Sequence, residues 1–155
     1  MPTHFKGTPA QKNALNAYIK FSRASSALET YMRRTLNEKG LTPSQLGVLE
    51  AIHHLGPLNQ KELADKMLMS GGNVTHVIDN LEKAGMAKRA PGSDRRTFKI
   101  MLTPKGSRYI SRLMPEHVAD ITRAMSALNA GELKTLGELC KKLGFGIGAI
   151  ENADA

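Results

Sequence analysis

The chain has a single cysteine, Cys140, no tryptophan and an aromatic content of only 5%. A lone thiol excludes an intrachain disulfide and suits a reducing compartment. With no Cys/His pair at ligand spacing beside it, a structural zinc finger is excluded as well. No apolar run approaches the ~20 residues of a bilayer span. Residues 1–7 lack the apolar core of a signal peptide, so the expectation is a cytoplasmic protein without a membrane partner. Paired acid/base groups and an activated nucleophile are missing. Gly71-Gly72 is too short for a nucleotide loop and lacks the following Lys-Ser/Thr. The chain is therefore expected not to be an enzyme and to hold no cofactor or metal. Adjacent His53 and His54 point about 100° apart on a helix and do not chelate easily together.

Negative charge is also scarce. The formal net charge is +8 over 155 residues, which favours a polyanionic partner. The excess is local: residues 6–39 carry +5, residues 61–106 carry +4, and the remainder is slightly acidic. With 41% apolar residues there is enough to fill the core of one domain, or of one compact reader with a dimerisation layer.

Residues 11–38 repeat apolar positions at helical spacing through Leu15, Tyr18, Phe21, Leu28, Met32 and Leu36, and Gly40 ends the run. Thr42-Pro43-Ser44-Gln45 is a capping box with proline at the first helical position. It opens a second helix that runs to about Leu55 and stops at Gly56-Pro57. Asn59 with Glu62 starts a short third helix, and Ser70 caps a fourth. There Val74, Val77, Ile78 and Leu81 share one face, and Gly85 ends the helix. The opposite face carries Gly72, His76, Asp79 and Lys83, flanked by Asn73, Thr75 and Asn80. A strand over 87–90, a polar tip over 91–96 and a returning strand over 97–102 follow. In the second strand Phe98, Ile100 and Leu102 alternate as half-buried residues do. Thr103-Pro104 opens a fifth helix to about Leu128, which Pro115 is expected to kink. Asn129 with Glu132 caps a sixth helix, whose apolar stripe is Leu133, Leu136, Leu139, Cys140 and Leu143. The glycine-rich tail from Gly144 is expected to fray. On that stripe Cys140 reads as a small buried hydrophobe.

The fourth helix opens with small residues, Ser70-Gly71-Gly72-Asn73. Glycine costs a helix roughly 1 kcal/mol relative to alanine, so two at one N-terminus point to a close approach by something else. A DNA phosphate fits, because the free N–H groups and the helix dipole favour an anion. Asn73, Thr75 and His76 are then placed to reach base edges: Asn pairs with adenine and the Thr methyl contacts thymine. Taken alone, these residues read equally well as glycines that merely relax a tight turn and a His76 that is an ordinary surface residue. The hairpin adds weight to the DNA reading. Asp94-Arg95-Arg96 at its tip, with Lys88, Arg89 and Lys99 nearby, makes a basic ribbon whose arginines suit a narrow minor groove.

These parts in this order resemble the MarR family, the multiple antibiotic resistance regulators. The resemblance is carried by Leu41-Thr42-Pro43-Ser44-Gln45-Leu46, Asp79-Asn80-Leu81-Glu82-Lys83-Ala84-Gly85, the wing Asp94-Arg95-Arg96, and Leu102-Thr103-Pro104-Lys105-Gly106, and it spans nearly the whole chain. It implies a mainly α fold with a small β-wing. Residues 1–40 would be an N-terminal dimerisation helix, 41–103 a winged helix-turn-helix reader and 104–155 C-terminal dimerisation helices. It further implies a homodimer on a pseudo-palindromic double-stranded operator, the fourth helix as recognition helix, Arg96 in the minor groove and Asp94 as its buttress. The Ser-Gly-Asn helix start resembles a subgroup of which some members respond to phenolic or quinone-like compounds. Redox-sensing members carry their cysteine near the start of the first helix, where this chain has none.

The expected function is a sequence-specific transcriptional regulator, a repressor released by a small aromatic ligand. Tyr18, Phe21, His53 and His54 are the expected lining of the ligand pocket. Two other readings stand beside it: a constitutive or architectural DNA-binding protein without a ligand, and a winged-helix module used for protein contact.

Overall fold

A computed structural model describes residues 4–91 and 98–153. Its elements in chain order are α1 (Pro9–Asn37), α2 (Pro43–Leu55), β1 (Leu58–Asn59), α3 (Gln60–Met67), α4 (Gly71–Lys83), β2 (Ala87–Pro91), β3 (Phe98–Leu102), α5 (Pro104–Ala124) and α6 (Ala130–Ala153). Four of the six helix starts share one local code. Thr8 with Gln11, Thr42 with Gln45, Asn59 with Glu62 and Asn129 with Glu132 each exchange side-chain and backbone hydrogen bonds. Each box satisfies two backbone N–H groups that the helix itself leaves unpaired. Gly40, Gly56 and Gly85 follow α1, α2 and α4 with φ of +74°, +78° and +68°, the left-handed stop that glycine takes without strain.

The chain divides into two compact units, residues 1–120 and 121–155. In the first, one continuous core joins Leu36 and Leu41 to the buried faces of α2, α3 and α4, to Leu58 and Ile100 of the sheet, and to Ile110 and Leu113 of α5. On α4 the buried residues are Val74, Val77, Ile78 and Leu81, the face expected from their spacing. The sheet is three-stranded and antiparallel in the order β1-β3-β2. Its first strand, two residues long, was not expected: Leu58 pairs with Ile100 and Asn59 with Lys99.

The hairpin register sets Ala87 opposite Leu102 and Pro91 opposite Phe98. Ile100 is 1% exposed, but Phe98 is 57% exposed, against the expected alternation. The reason lies in the register. Phe98 sits at the outer end of the ladder, beyond the level where β1 and the core cover the sheet. The arginines of the wing tip, Arg95 and Arg96, and Asp94 beside them lie outside the described residues.

The α3–α4 turn passes through Leu68, at φ 50° and ψ 43° in the left-handed region and 95% exposed. The following Met69 N–H closes the turn on the Ala64 carbonyl at 3.0 Å. α5 ends at Ala124, short of the expected Leu128, and a turn over residues 125–127 leads on to α6. Pro115 lies inside α5, where it cannot donate to the Ser111 carbonyl. α6 continues to Ala153, correcting the expectation that the chain frays from Gly144.

His117 of α5 is only 8% exposed, and its Nδ1 has no hydrogen-bond partner among the described residues. Burial pushes this imidazole below its ordinary range; Glu50 and Asp120 oppose the shift and Lys39 adds to it. A histidine held neutral in the fold protonates more readily when unfolded. The stability it protects is therefore complete above about pH 6.5 and is lost as the pH falls through the lowered native value. Denaturant titrations at pH 7.5 and pH 5 should show a larger acid loss for the wild type than for His117→Phe. An equal loss in both would contradict this reading.

Candidate nucleic-acid interface

Two of the motifs of the sequence, residues 79–85 and 102–106, meet at the C-terminal end of α4. Asp79 and Glu82, one turn apart on that helix, both hold Arg89 of β2. The Arg89 Nη2 donates to Asp79 Oδ1 at 2.7 Å, Nη1 donates to Glu82 Oε2, and the Arg89 backbone N–H donates to Glu82 Oε1 at 2.7 Å. The hydrogen bond that Arg89 donates to Asp79, together with the charges of both carboxylates, raises the Arg89 pKa still further. Arg89 is thus neutralised and half-buried. It ties the wing to α4 and is not one of the solvent-facing cations of the ribbon, as the sequence reading had it. Lys88 and Lys99 remain exposed on the hairpin.

The Thr103-Pro104-Lys105-Gly106 segment pins the same corner from the other side. Thr103 Oγ1 donates to the Gly85 carbonyl at 2.7 Å, and Lys105 Nζ donates to the Ala84 carbonyl at 2.7 Å. The Thr103 N–H donates to the Met86 carbonyl at 3.0 Å. Gly106 packs directly on that carbonyl. A Cβ there would enter the van der Waals radius of the Met86 oxygen and lie 2.8 Å from its carbon. Two of the specific motifs thus set the angle between α4, the wing and α5.

The exposed residues of α4 are arranged as the sequence predicts, with one addition. Ser70 accepts from the Asn73 N–H at 3.4 Å as N-cap. Asn73 and His76 are exposed, and the Asn80 side-chain amide lies 3.1 Å from His76 Nε2, which ties the ring's orientation to Asn80. Gly71 and Gly72 face open space: a Cβ at either would meet nothing within 4 Å. Thr75 is half-buried. Its hydroxyl donates to the Gly71 carbonyl at 2.8 Å and accepts from Gln60 Nε2 at 2.5 Å. Gln60 was not among the expected site residues. It takes the first position of α3, the helix packed against α4, and no local sequence pattern marks it.

The expected pocket residues lie on two elements. Tyr18 and Phe21 are exposed on α1, and His53 and His54 are exposed in the last turn of α2 with ring centroids 5.3 Å apart. Two clefts of the first unit lie elsewhere. One follows α1 along Ser26, Ala27, Thr30, Tyr31 and Arg34. Another, of about 370 Å³, is lined by Lys39, Tyr109, Arg112, Leu113 and Glu116. Lys39 Nζ there is 2.7 Å from Asp120 Oδ2, and the Tyr109 hydroxyl donates to the Lys39 carbonyl at 2.5 Å. Among the described residues no group of three His, Cys, Asp or Glu is placed to hold a metal ion, and no helix is long and apolar enough to cross a membrane.

Comparison with known proteins gives one answer. A family model described as MarR family matches residues 41–98. The HTH-type transcriptional regulator MhqR of Bacillus subtilis (strain 168) is 30% identical over 142 residues, which is 91% of this chain and 98% of that protein. The HTH-type transcriptional repressor MdtR of the same strain is 27% identical over 117 residues, 75% of this chain and 76% of that one. Among solved structures, Sco3205, a MarR family transcriptional regulator from Streptomyces coelicolor crystallised in complex with DNA, superposes with a TM-score of 0.81. It is 24% identical and the match covers 92% of this chain and 91% of that one; the likeness is one of fold. The conjunction of a winged helix-turn-helix, the motifs that brace it and a relative alike over almost its entire length places this chain in the MarR family of DNA-binding transcriptional regulators.

Proposed function

We propose that the protein is a homodimeric, cytoplasmic repressor that sets two copies of α4 into successive major grooves of a pseudo-palindromic operator. In this reading the wing tip Asp94-Arg95-Arg96 enters the flanking minor groove, with Arg96 the inserted side chain and Asp94 its buttress. Ser70, Gly71, Gly72, Asn73, Thr75 and His76 form the α4 contact. The observation that carries this is the open space at Gly71 and Gly72. Among the described residues nothing lies close enough to require glycine at either position, although both lower helix stability. A phosphate docked at the α4 N-terminus supplies the missing reason, since it must approach the backbone N–H groups closely.

The dimer is supported by α6. Leu139, Leu143, Ile147 and Ile150 recur at helical spacing, and all are exposed in the single chain. A helix that also carries Gly144, Gly146 and Gly148 gains stability when a partner covers that stripe. The name of MdtR, a repressor, supports repression over activation. Release by a small phenolic or quinone-like molecule rests on the subgroup resemblance, with Tyr18, Phe21, His53 and His54 as its proposed contacts. Such a molecule acts only if it favours a spacing of the two readers that does not fit DNA.

Selection from a random duplex pool with the full-length protein should enrich inverted repeats whose half-sites lie about one helical turn apart. Failure to enrich any sequence would favour an architectural protein. Gly71→Ala and Gly72→Ala should each stabilise the fold slightly, by up to about 1 kcal/mol, yet weaken binding to the enriched duplex about tenfold or more through the lost phosphate approach. Unchanged affinity in both would remove the reason given for the glycines.

A further inference from the structure

We propose that Gln60 is a positioning residue for DNA readout: it locks Thr75 so that this side chain meets the operator with its methyl group and not with a hydroxyl donor. The inference rests on α4 being the DNA-facing helix, as proposed above. A threonine hydroxyl has one proton to give and two lone pairs. In α4 the proton goes to the Gly71 carbonyl at 2.8 Å, and one lone pair is taken by Gln60 Nε2 at 2.5 Å. The same Nε2 lies 3.5 Å from the Gly71 carbonyl, so three groups close one small network. A hydroxyl committed in this way has no proton left for a phosphate oxygen or for a purine acceptor. What Thr75 can still bring to a base edge is its methyl and one acceptor lone pair, and thymine presents a methyl in the major groove.

The lock needs Gln60 because the back-bond alone does not fix the rotamer. Threonine in a helix divides between two χ1 wells, and bonding to the carbonyl four residues back is a weak and local preference. Gln60 adds a second anchor from a different helix. It sits at the first position of α3, beside the Asn59 cap, where the side chain reaches α4 while the backbone stays in its own helix. A side chain held in one rotamer before binding loses less freedom on meeting DNA, and it discriminates more sharply.

The test uses the duplex enriched by the full-length protein. Each thymine is replaced in turn by deoxyuracil, which removes only the 5-methyl group, and the affinity ratio is measured at each position. The wild type should lose about fourfold at one symmetry-related pair of thymines, the worth of one buried methyl. Thr75→Ser, which keeps the hydroxyl and removes the methyl, should bring that ratio to about one. Gln60→Ala and Gln60→Glu should do the same at that pair and leave the other thymines unchanged. Because each ratio is internal to one variant, a uniform change in affinity or stability cancels. If both Gln60 variants keep the wild-type ratio while Thr75→Ser loses it, Gln60 has no positioning role and the α4 contact stands. If the wild type shows no thymine–uracil difference at any position, the methyl contact is wrong. If no duplex is enriched at all, the operator reading itself fails and this inference falls with it.

Discussion

Gly106→Ala is expected to destabilise the protein by about 2–4 kcal/mol, the upper range for a forced overpacking, and to lower Tm by roughly 5–12 °C. The added methyl has nowhere to go. It would collide with the backbone carbonyl of Met86, which is fixed by the Thr103 N–H at 3.0 Å and approached by Thr103 Oγ1 at 3.3 Å. A flexible side chain can swing away from such a contact, whereas a carbonyl in a braced turn moves only with the chain around it. Relief would shift the start of α5 from the end of α4 and break those hydrogen bonds. Thermal or denaturant unfolding of the variant reads the effect, and a Tm within 2 °C of the wild type, below the expected range, would show that the corner yields.

Arg96→Ala is expected to leave stability and dimer unchanged while weakening operator binding roughly 10- to 100-fold, the cost of one groove arginine. A guanidinium in a narrow minor groove meets focused negative potential, and no other residue type at the tip replaces it. Asp94→Ala should act in the same direction but less, because a guanidinium no longer held in one rotamer must be ordered on binding. Arg89, Asp79 and Glu82 brace the root of the wing at β2. Fluorescence anisotropy on the enriched duplex measures both variants. An Arg96→Ala affinity equal to the wild type would remove the groove role.

Much of this was legible because the sequence writes its helix starts in capping boxes and its buried faces in periodicity. The buried face of α4 followed from spacing alone. The first helix shows the limit of periodicity. A start at residue 11 follows the apolar repeat, but Thr8-Pro9-Ala10-Gln11 carries the same signature as Thr42-Pro43-Ser44-Gln45 and starts α1 at Pro9. A two-residue strand such as β1 has no period to read; it exists because Leu58 meets Ile100 across the chain. Glycines at 144, 146 and 148 argued for fraying, yet the apolar repeat continues through Ile147 and Ile150 and α6 continues with it.

At the site, composition misled in one place. Arg89 sits among cations in sequence and among carboxylates in space, and only Asp79 and Glu82 at three-residue spacing on α4 foreshadow the clamp. Gln60 acts across fifteen residues, a separation at which no local pattern indicates a partner. Of the motifs that carry the family resemblance, those around Glu82 and Gly106 brace the reader, while the α4 residues proposed to touch DNA lie outside them.

The most direct measurement is the equilibrium affinity of the full-length protein for its enriched duplex and for a random duplex of equal length at physiological salt. A site-specific regulator should prefer the enriched duplex by ~10³ or more. Equal affinities that fall together and steeply with added salt, as binding through phosphates alone requires, would contradict it.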